Sequence, residues 1–205
     1  MREDALFLFH GGIMMWPLFV CGIVSVAVTI DRVMAIGATV GDNRRLVAEV
    51  ERLVRAGLYA DALAVCESHS GRVAAMLATG LRTRGLDRLS IERQMEEFAL
   101  RQMPVMMERL SVLDTIVTLA PLLGLLGTIT GMIRAFNIVG ASAMDAPATI
   151  TSGVAEALIA TSAGLAIAIV TLPAYNFLTE RVKENISEME WRATQLMNLL
   201  AGRRV

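Results

Sequence analysis

Three long runs without charge dominate the pattern of apolar and polar positions along the chain. The first covers residues 11–30, the second 115–133, and the third about 149–178 with a single charge, Glu156. A helix of about 20 residues crosses the roughly 30 Å hydrocarbon core of a bilayer. The pattern therefore predicts three transmembrane helices, with the second and third forming a hairpin around a short loop at residues 137–148.

The stretch between the first and second spans has the mixed pattern of amphipathic helices. Residues 44–56, RRLVAEVERLVRA, place apolar side chains at helical spacing. Asp42 is the expected N-cap of this helix and Gly57 its expected stop. A second helix is predicted over residues 59–68.

A third amphipathic helix is predicted to begin at Asp87 or Ser90 and to run straight into the second span, with a kink or local break at Pro104. The fold class is therefore an all-α membrane protein, with three transmembrane helices and long helices that extend into a cytoplasmic helical domain. The predicted segments are the N-terminal segment with the first span (1–36), the cytoplasmic helical domain (37–111), the transmembrane hairpin (112–178) and a cytoplasmic C-terminal helix (179–205).

Arginine and lysine are distributed unevenly around the spans. Residues 38–110 contain eleven basic side chains and residues 179–205 contain five, whereas the loop 137–148 has none and the first ten residues have one. Loops rich in basic residues stay on the cytoplasmic side. The N-terminus and the short loop are therefore expected outside the cytoplasm, and the middle block and the C-terminus inside it.

Composition excludes several classes of function. Hydrophobic residues make up 55% of the chain and the formal net charge is −1, which gives no electrostatic case for nucleic acid. The two cysteines and two histidines have no metal-ligand spacing, so neither a metal site nor a cofactor is expected. Nucleotide-binding and nucleophile motifs are missing, so the chain is not expected to be an enzyme. Any work it performs would draw on an ion gradient.

Small residues recur at helical spacing in the second and third spans. Small side chains let membrane helices approach closely. Packing between helices is therefore the expected role of the glycines, whether or not anything flows nearby. The positions are Gly124, Gly127 and Gly131 in the second span, and Gly153, Ala157, Ala160 and Gly164 in the third.

Glu156 is the unusual side chain of the third span. A carboxylate in hydrocarbon is expensive, so it should face a bundle interior or a wet cavity, and no neighbouring charge is expected to pair with it. The alternative is a glutamate near the outer interface that simply reaches water. Thr161 lies five positions further on, about 140° around the helix, so the two side chains cannot point the same way on a straight helix.

Several hydroxyl side chains accompany Glu156 in the second and third spans. Single hydroxyls in membrane helices often bond back to the preceding turn, which is the simplest interpretation of Thr118, Thr130 and Ser162.

The runs LAPLLGLLGTITGMIRAF and ITSGVAEALIATSAGLAIAIVTLPAYN resemble the ExbB/TolQ/MotA proton-channel family. The resemblance is strong over residues 119–176 and weaker elsewhere. Three spans and one cytoplasmic block resemble the ExbB/TolQ branch, because the MotA branch has four spans. By motif position, Thr128, Glu156 and Thr161 match the family's polar channel residues.

The resemblance implies a homo-pentamer in the bacterial inner membrane, whose second and third spans line a central channel. Two copies of an ExbD- or TolR-like single-span partner would sit in that channel and carry the proton-accepting aspartate. Proton flow would then energise a TonB- or TolA-like protein.

Two other interpretations remain open at the level of sequence. One is a structural membrane scaffold that anchors cytoplasmic helices without ion conduction. The other is a small secondary transporter, although three spans cannot form the inverted repeats that such proteins usually contain. A scaffold needs neither Glu156 nor the hydroxyl residues, so these side chains favour the channel.

Overall fold

The computed structural model describes residues 12–37, 43–141 and 146–202, and within those ranges the chain forms helices and no strand. Stretches of three helices are long and apolar enough to cross a membrane: Met15–Ala35, Leu110–Asn137 and part of Ile150–Ala201. The chain is an all-α membrane protein, which confirms the predicted fold class. The described helices are α1 (Met15–Gly37), α2 (Asn43–Ala56), α3 (Tyr59–Ser68), α4 (Arg72–Arg82), α5 (Arg88–Met107), α6 (Leu110–Ala141) and α7 (Ala146–Ala201).

The described residues fall into two compact units. The membrane unit comprises residues 12–31, 109–141 and 146–177, and the second unit comprises 32–37, 43–108 and 178–202. Helices α1 and α7 contribute residues to both units.

The membrane unit has a small core and a large apolar exterior. Met15 and Leu18 of α1 are buried with Ile116 and Ala120 of α6. Many large side chains point outward, such as Val170 at 70% exposure. An apolar exterior is what lipid requires of a spanning helix, because lipid offers backbone and polar groups no hydrogen-bond partners.

The second unit is built from amphipathic helices around one core. Leu46, Val50 and Val54 recur at the i, i+4 spacing that puts them on one face of α2, and all three are buried. Met189 and Leu196 of α7 belong to the same cluster. The core of this unit therefore joins the middle of the sequence to its C-terminal part.

Two of the predicted helix boundaries are confirmed in the second unit. Helix α2 ends at Ala56, followed by Gly57 with φ +79°, a left-handed conformation that glycine adopts easily. Helix α3 covers Tyr59–Ser68, the predicted range. The predicted N-cap Asp42 lies outside the described residues.

The predicted start of α5 is also confirmed. Asp87 precedes the helix, and its carboxylate accepts a hydrogen bond from the Ser90 N–H at 3.1 Å. The Ser90 side-chain and backbone hydrogen bonds hold the pKa of the Asp87 carboxyl below its usual value.

The prediction that this helix runs straight into the second span is wrong. Helix α5 continues past Pro104 to Met107 and then stops, and α6 begins at Leu110. Glu108 leaves the helical conformation, with ψ 138°, and Arg109 is left-handed, with φ +65°. The Arg109 guanidinium donates to the Asp31 carboxylate at 3.1 Å, so a contact distant in sequence accompanies the break.

The predicted loop at 137–148 is also too long. Helix α6 continues to Ala141 and α7 begins at Ala146. The hairpin connection is therefore shorter than the apolar pattern indicated, because the uncharged residues at both ends of the loop remain helical.

Candidate functional site

Close packing between α6 and α7 provides the frame of the candidate site. A Cβ added to Gly124 would lie 3.0 Å from the Ala160 carbonyl oxygen, and one added to Gly164 would lie 2.5 Å from the Ala120 carbonyl oxygen. These short distances to backbone atoms mean that only glycine fits without a shift of the helices. The other three predicted packing glycines also lie at this interface: Gly127 and Gly131 face α7, and Gly153 faces α6.

Thr161 joins the two helices at this close approach. Its hydroxyl donates a hydrogen bond to the Gly124 carbonyl oxygen at 3.0 Å. A backbone carbonyl already bonded within its own helix has a second lone pair to offer, so the contact needs no break in α6. The Thr161 oxygen keeps its own lone pairs available to another donor.

Thr128 makes a local hydrogen bond instead. Its hydroxyl donates to the Leu125 carbonyl oxygen at 2.7 Å, within α6. The structure therefore joins Thr161 to α6 but does not bring Thr128 into hydrogen bonding with Glu156 or Thr161. Thr118, Thr130 and Ser162 bond back to the preceding turn, as the simplest interpretation predicted.

Glu156 has a charged partner, contrary to the sequence-based expectation. Its carboxylate accepts a hydrogen bond from the Arg134 guanidinium at 2.9 Å, with the Glu156 side chain 24% exposed and the Arg134 side chain 51% exposed. The two residues are 22 positions apart, and the antiparallel hairpin brings them together. The expectation failed because it considered only the neighbours of Glu156 along its own helix.

Gly12, three residues before α1, completes the surroundings of this carboxylate. Gly12 has φ +69°, and a Cβ built there would overlap Glu156 Oε1. Glycine at position 12 therefore leaves room for the carboxylate. Residues of α6 and of the segment just before α1 thus surround the Glu156 carboxylate of α7.

A hydroxyl pair that sequence reasoning missed lies between α1 and α7. Ser25 and Thr171 are 5% and 2% exposed, and their side-chain oxygens are 2.7 Å apart. Thr171 donates its own proton to the Ile167 carbonyl oxygen at 2.7 Å, so Ser25 is the donor in the pair. Small polar residues inside apolar runs were the only available signal, and they do not reveal which partner each one meets.

The polar groups of the membrane unit occupy different depths along α7. At 1.5 Å per residue, Thr161 lies about 7–8 Å and Thr171 about 22 Å along the helix from Glu156. Within the described ranges no three His, Cys, Asp or Glu side chains gather as a metal site would require. The described α6–α7 hairpin therefore offers the Arg134–Glu156 ion pair and a series of hydroxyls.

Comparisons with known proteins cover most of the chain. Residues 68–191, which include most of the α6–α7 hairpin, match the family described as the MotA/TolQ/ExbB proton channel family. An ExbB homolog of Methanothermobacter thermautotrophicus is 31% identical over 146 residues, 71% of this chain and 52% of that protein. An ExbB-like protein of Synechocystis sp. is 33% identical over 176 residues, 82% of this chain and 67% of that protein.

A TolQ relative extends the comparison to the second branch. The Tol-Pal system protein TolQ of Haemophilus influenzae is 37% identical over 82 residues, 40% of this chain and 36% of that protein. The chain spans about half the length of the archaeal relative and about two thirds of the cyanobacterial one.

Proposed function

Because the chain belongs to the MotA/TolQ/ExbB proton channel family, we propose that it is a channel subunit that uses the proton gradient to drive a partner protein. The observation that carries this proposal is the Arg134–Glu156 pair on the α6–α7 hairpin, 2.9 Å across, within the range that matches the family. A charged pair in an apolar hairpin is costly unless it faces protein or water, and such groups commonly belong to ion pathways.

The polar side chains of the hairpin have distinct roles in this proposal. Thr128, Glu156 and Thr161 line the proton pathway. Arg134 balances the charge of Glu156, so the carboxylate does not act as a bare negative site that gathers cations. Thr161 holds α7 against α6 through Gly124 and offers its oxygen to pore water or to a partner's carboxyl group. The hydroxyls thereby supply the hydrogen bonds that a proton path needs.

The proposed assembly is a homo-pentamer around two copies of an ExbD- or TolR-like single-span protein. That partner supplies the proton-accepting aspartate, and a TonB- or TolA-like protein receives the work. The proposed location is the bacterial inner membrane. The basic residues support an orientation with residues 38–110, which contain eleven of them, on the cytoplasmic side and the N-terminus in the periplasm.

Proton flux through a reconstituted complex tests the proposal. The full chain is expressed with an ExbD/TolR-type protein of the same genome, purified, and placed in liposomes with a pH-sensitive dye inside. We expect flux that requires both proteins, and native mass measurement should give five copies to two. A monomer that binds no such partner would refute the proposed ring. An intact ring that conducts no protons would instead support the alternative, a structural scaffold without ion conduction.

A further inference from the structure

A groove of about 380 Å³ opens on the second unit between α5 and the C-terminal part of α7. Helix α5 lines it with one stripe of side chains, Arg88, Glu92, Glu96, Leu100 and Met103. These residues recur every three or four positions, so they share one face of the helix. From the first to the last, the stripe is about 22 Å long at 1.5 Å per residue, which is the length of a four-turn helix.

The floor of the groove is apolar and rich in methionine. Met76, Met95 and Met197 are buried beneath it. Leu100 and Met103 are 62% and 41% exposed at its edge, so apolar surface remains open to water. Methionine side chains adapt to differently shaped partners, which is why they are common on surfaces that bind peptides.

The walls of the groove carry an excess of acidic side chains. Glu92 and Glu96 stand one turn apart on α5, where like charges repel each other, and Glu190 lines the groove from α7. Within the described part of the chain these three carboxylates have no ion pair, whereas the adjacent Glu97 is paired with Arg101 at 2.6 Å. Arg88 is the one basic side chain among the lining residues.

We propose that this groove binds an amphipathic helix of a partner protein, with lysine or arginine beside its apolar face. The apolar face covers Leu100, Met103 and the methionine floor, and the cations pair with Glu92, Glu96 and Glu190. The charge of the walls disfavours acidic peptides and anionic lipid headgroups. The proposal does not involve the ion pathway, so it can fail without affecting the proposed function.

The test measures binding of a cationic amphipathic peptide to the full chain in phosphatidylcholine nanodiscs. The probe is fluorescent LKKLLKKLLKKLLK, followed by anisotropy, with LEELLEELLEELLE as the acidic counterpart and empty nanodiscs as background. We expect saturable binding of the cationic peptide above background. Substituting Glu92→Gln, Glu96→Gln and Glu190→Gln together should weaken it about ten-fold, since three partly exposed ion pairs are lost.

A matched triple variant separates local from general electrostatics. Glu49→Gln, Glu51→Gln and Asp61→Asn remove the same charge from residues that do not line the groove, and should leave the affinity unchanged. Equal weakening by both triple variants, or binding no stronger than to empty nanodiscs, would overturn the proposal. The other possible occupant of the groove is a second copy of this chain, which Leu100→Cys tests. If the chains cross-link to each other through this residue and the peptide does not bind, the groove is an interface between copies.

Discussion

Arg134 changes what Glu156 is able to do. A carboxylate that is 24% exposed and 2.9 Å from a guanidinium is held in place and electrically balanced. Removing either partner leaves the other charge unmatched, which costs more than removing both.

Exchanging the two charges tests whether they act as a pair. Glu156→Gln and Arg134→Gln should each reduce proton flux and lower the unfolding free energy by about 1 kcal/mol, the upper range for a partly exposed pair. The double variant Arg134→Glu with Glu156→Arg should recover part of both losses. Flux in liposomes and thermal melting in detergent provide the two measurements, with Glu49→Gln as the control. Additive losses in the exchanged variant would mean that the residues act separately.

Cys66 allows a prediction at alkaline pH. Burial, with a smaller contribution from the negative charge of Glu67, raises the pKa of its thiol from 9.0 to about 11. At pH 8 the folded protein should therefore react with iodoacetamide about a hundred-fold more slowly at Cys66 than the unfolded chain does. Mass spectrometry of alkylated peptides, with and without denaturant, measures this ratio.

The same thiol also affects stability. Because the folded pKa lies above the unfolded value, the contribution of neutral Cys66 is complete below pH 9 and declines as the pH rises toward 11. Cys66→Ala should flatten the fall in melting temperature over this interval. An unchanged slope in the variant would assign the fall to other groups.

At the scale of elements, the α6–α7 interface depends on glycine and on one hydroxyl. The Gly124 site has only 3.0 Å between an added Cβ and the backbone of α7, and Thr161 bonds to the carbonyl of the same residue. Packing and hydrogen bonding therefore meet at one point of the hairpin. A substitution there acts on helix separation as well as on the proposed proton pathway.

Substitutions at position 161 separate these two effects. Thr161→Val keeps the volume but removes the hydrogen bond, worth about 0.6 kcal/mol between membrane helices, so assembly should persist while flux falls. Thr161→Ser retains the hydroxyl and should retain most of the flux. Gly124→Ala should reduce assembly, whereas Gly85→Ala, with nothing within 4 Å of the added Cβ, should be silent. If Thr161→Val prevented assembly of the proposed ring, the main role of Thr161 would be helix packing.

The elements that sequence predicted well are those set by local signals. The three spans follow from the length of their apolar runs, and the end of α2 follows from Gly57, whose φ of +79° suits glycine. The break at Arg109 could not be predicted in this way, because arginine has no preference for a left-handed backbone and its partner Asp31 lies 78 positions away.

The candidate site was predictable in composition but not in its contacts. The glycine spacing and the lone carboxylate were visible in the sequence, as was Thr161. The partner of Glu156 was not, since pairing with Arg134 depends on the register of the hairpin. Ser25 and Thr171 are 146 positions apart, and nothing local joins them.

At the scale of the whole molecule, the chain divides into a membrane unit and a second unit with its own core. The proposed orientation assigns the second unit to the cytoplasm and the start of α1 to the periplasm. Each of these two regions has an exposed residue that can be replaced and labelled. Ile13, near the start of α1, is 64% exposed, and Gly85 is exposed between α4 and α5.

Single cysteines at these positions test the orientation. In a background with Cys21→Ala and Cys66→Ala, Ile13→Cys should react with a membrane-impermeant maleimide in intact spheroplasts. Gly85→Cys should react only after the membrane is opened. A maleimide that shifts the protein on a gel measures labelling of both variants. The opposite labelling pattern would mean that the orientation is the reverse of the proposed one.

The buried Ser25–Thr171 bridge limits how this chain can change over generations. Losing Thr171 leaves the buried Ser25 hydroxyl without its acceptor, whereas replacing both hydroxyls with apolar side chains of similar shape is close to neutral. The order of replacement therefore matters, and natural variants that lose Thr171 should also lose the Ser25 hydroxyl. The residues at positions 25 and 171, on two different spans, should therefore covary among related proteins.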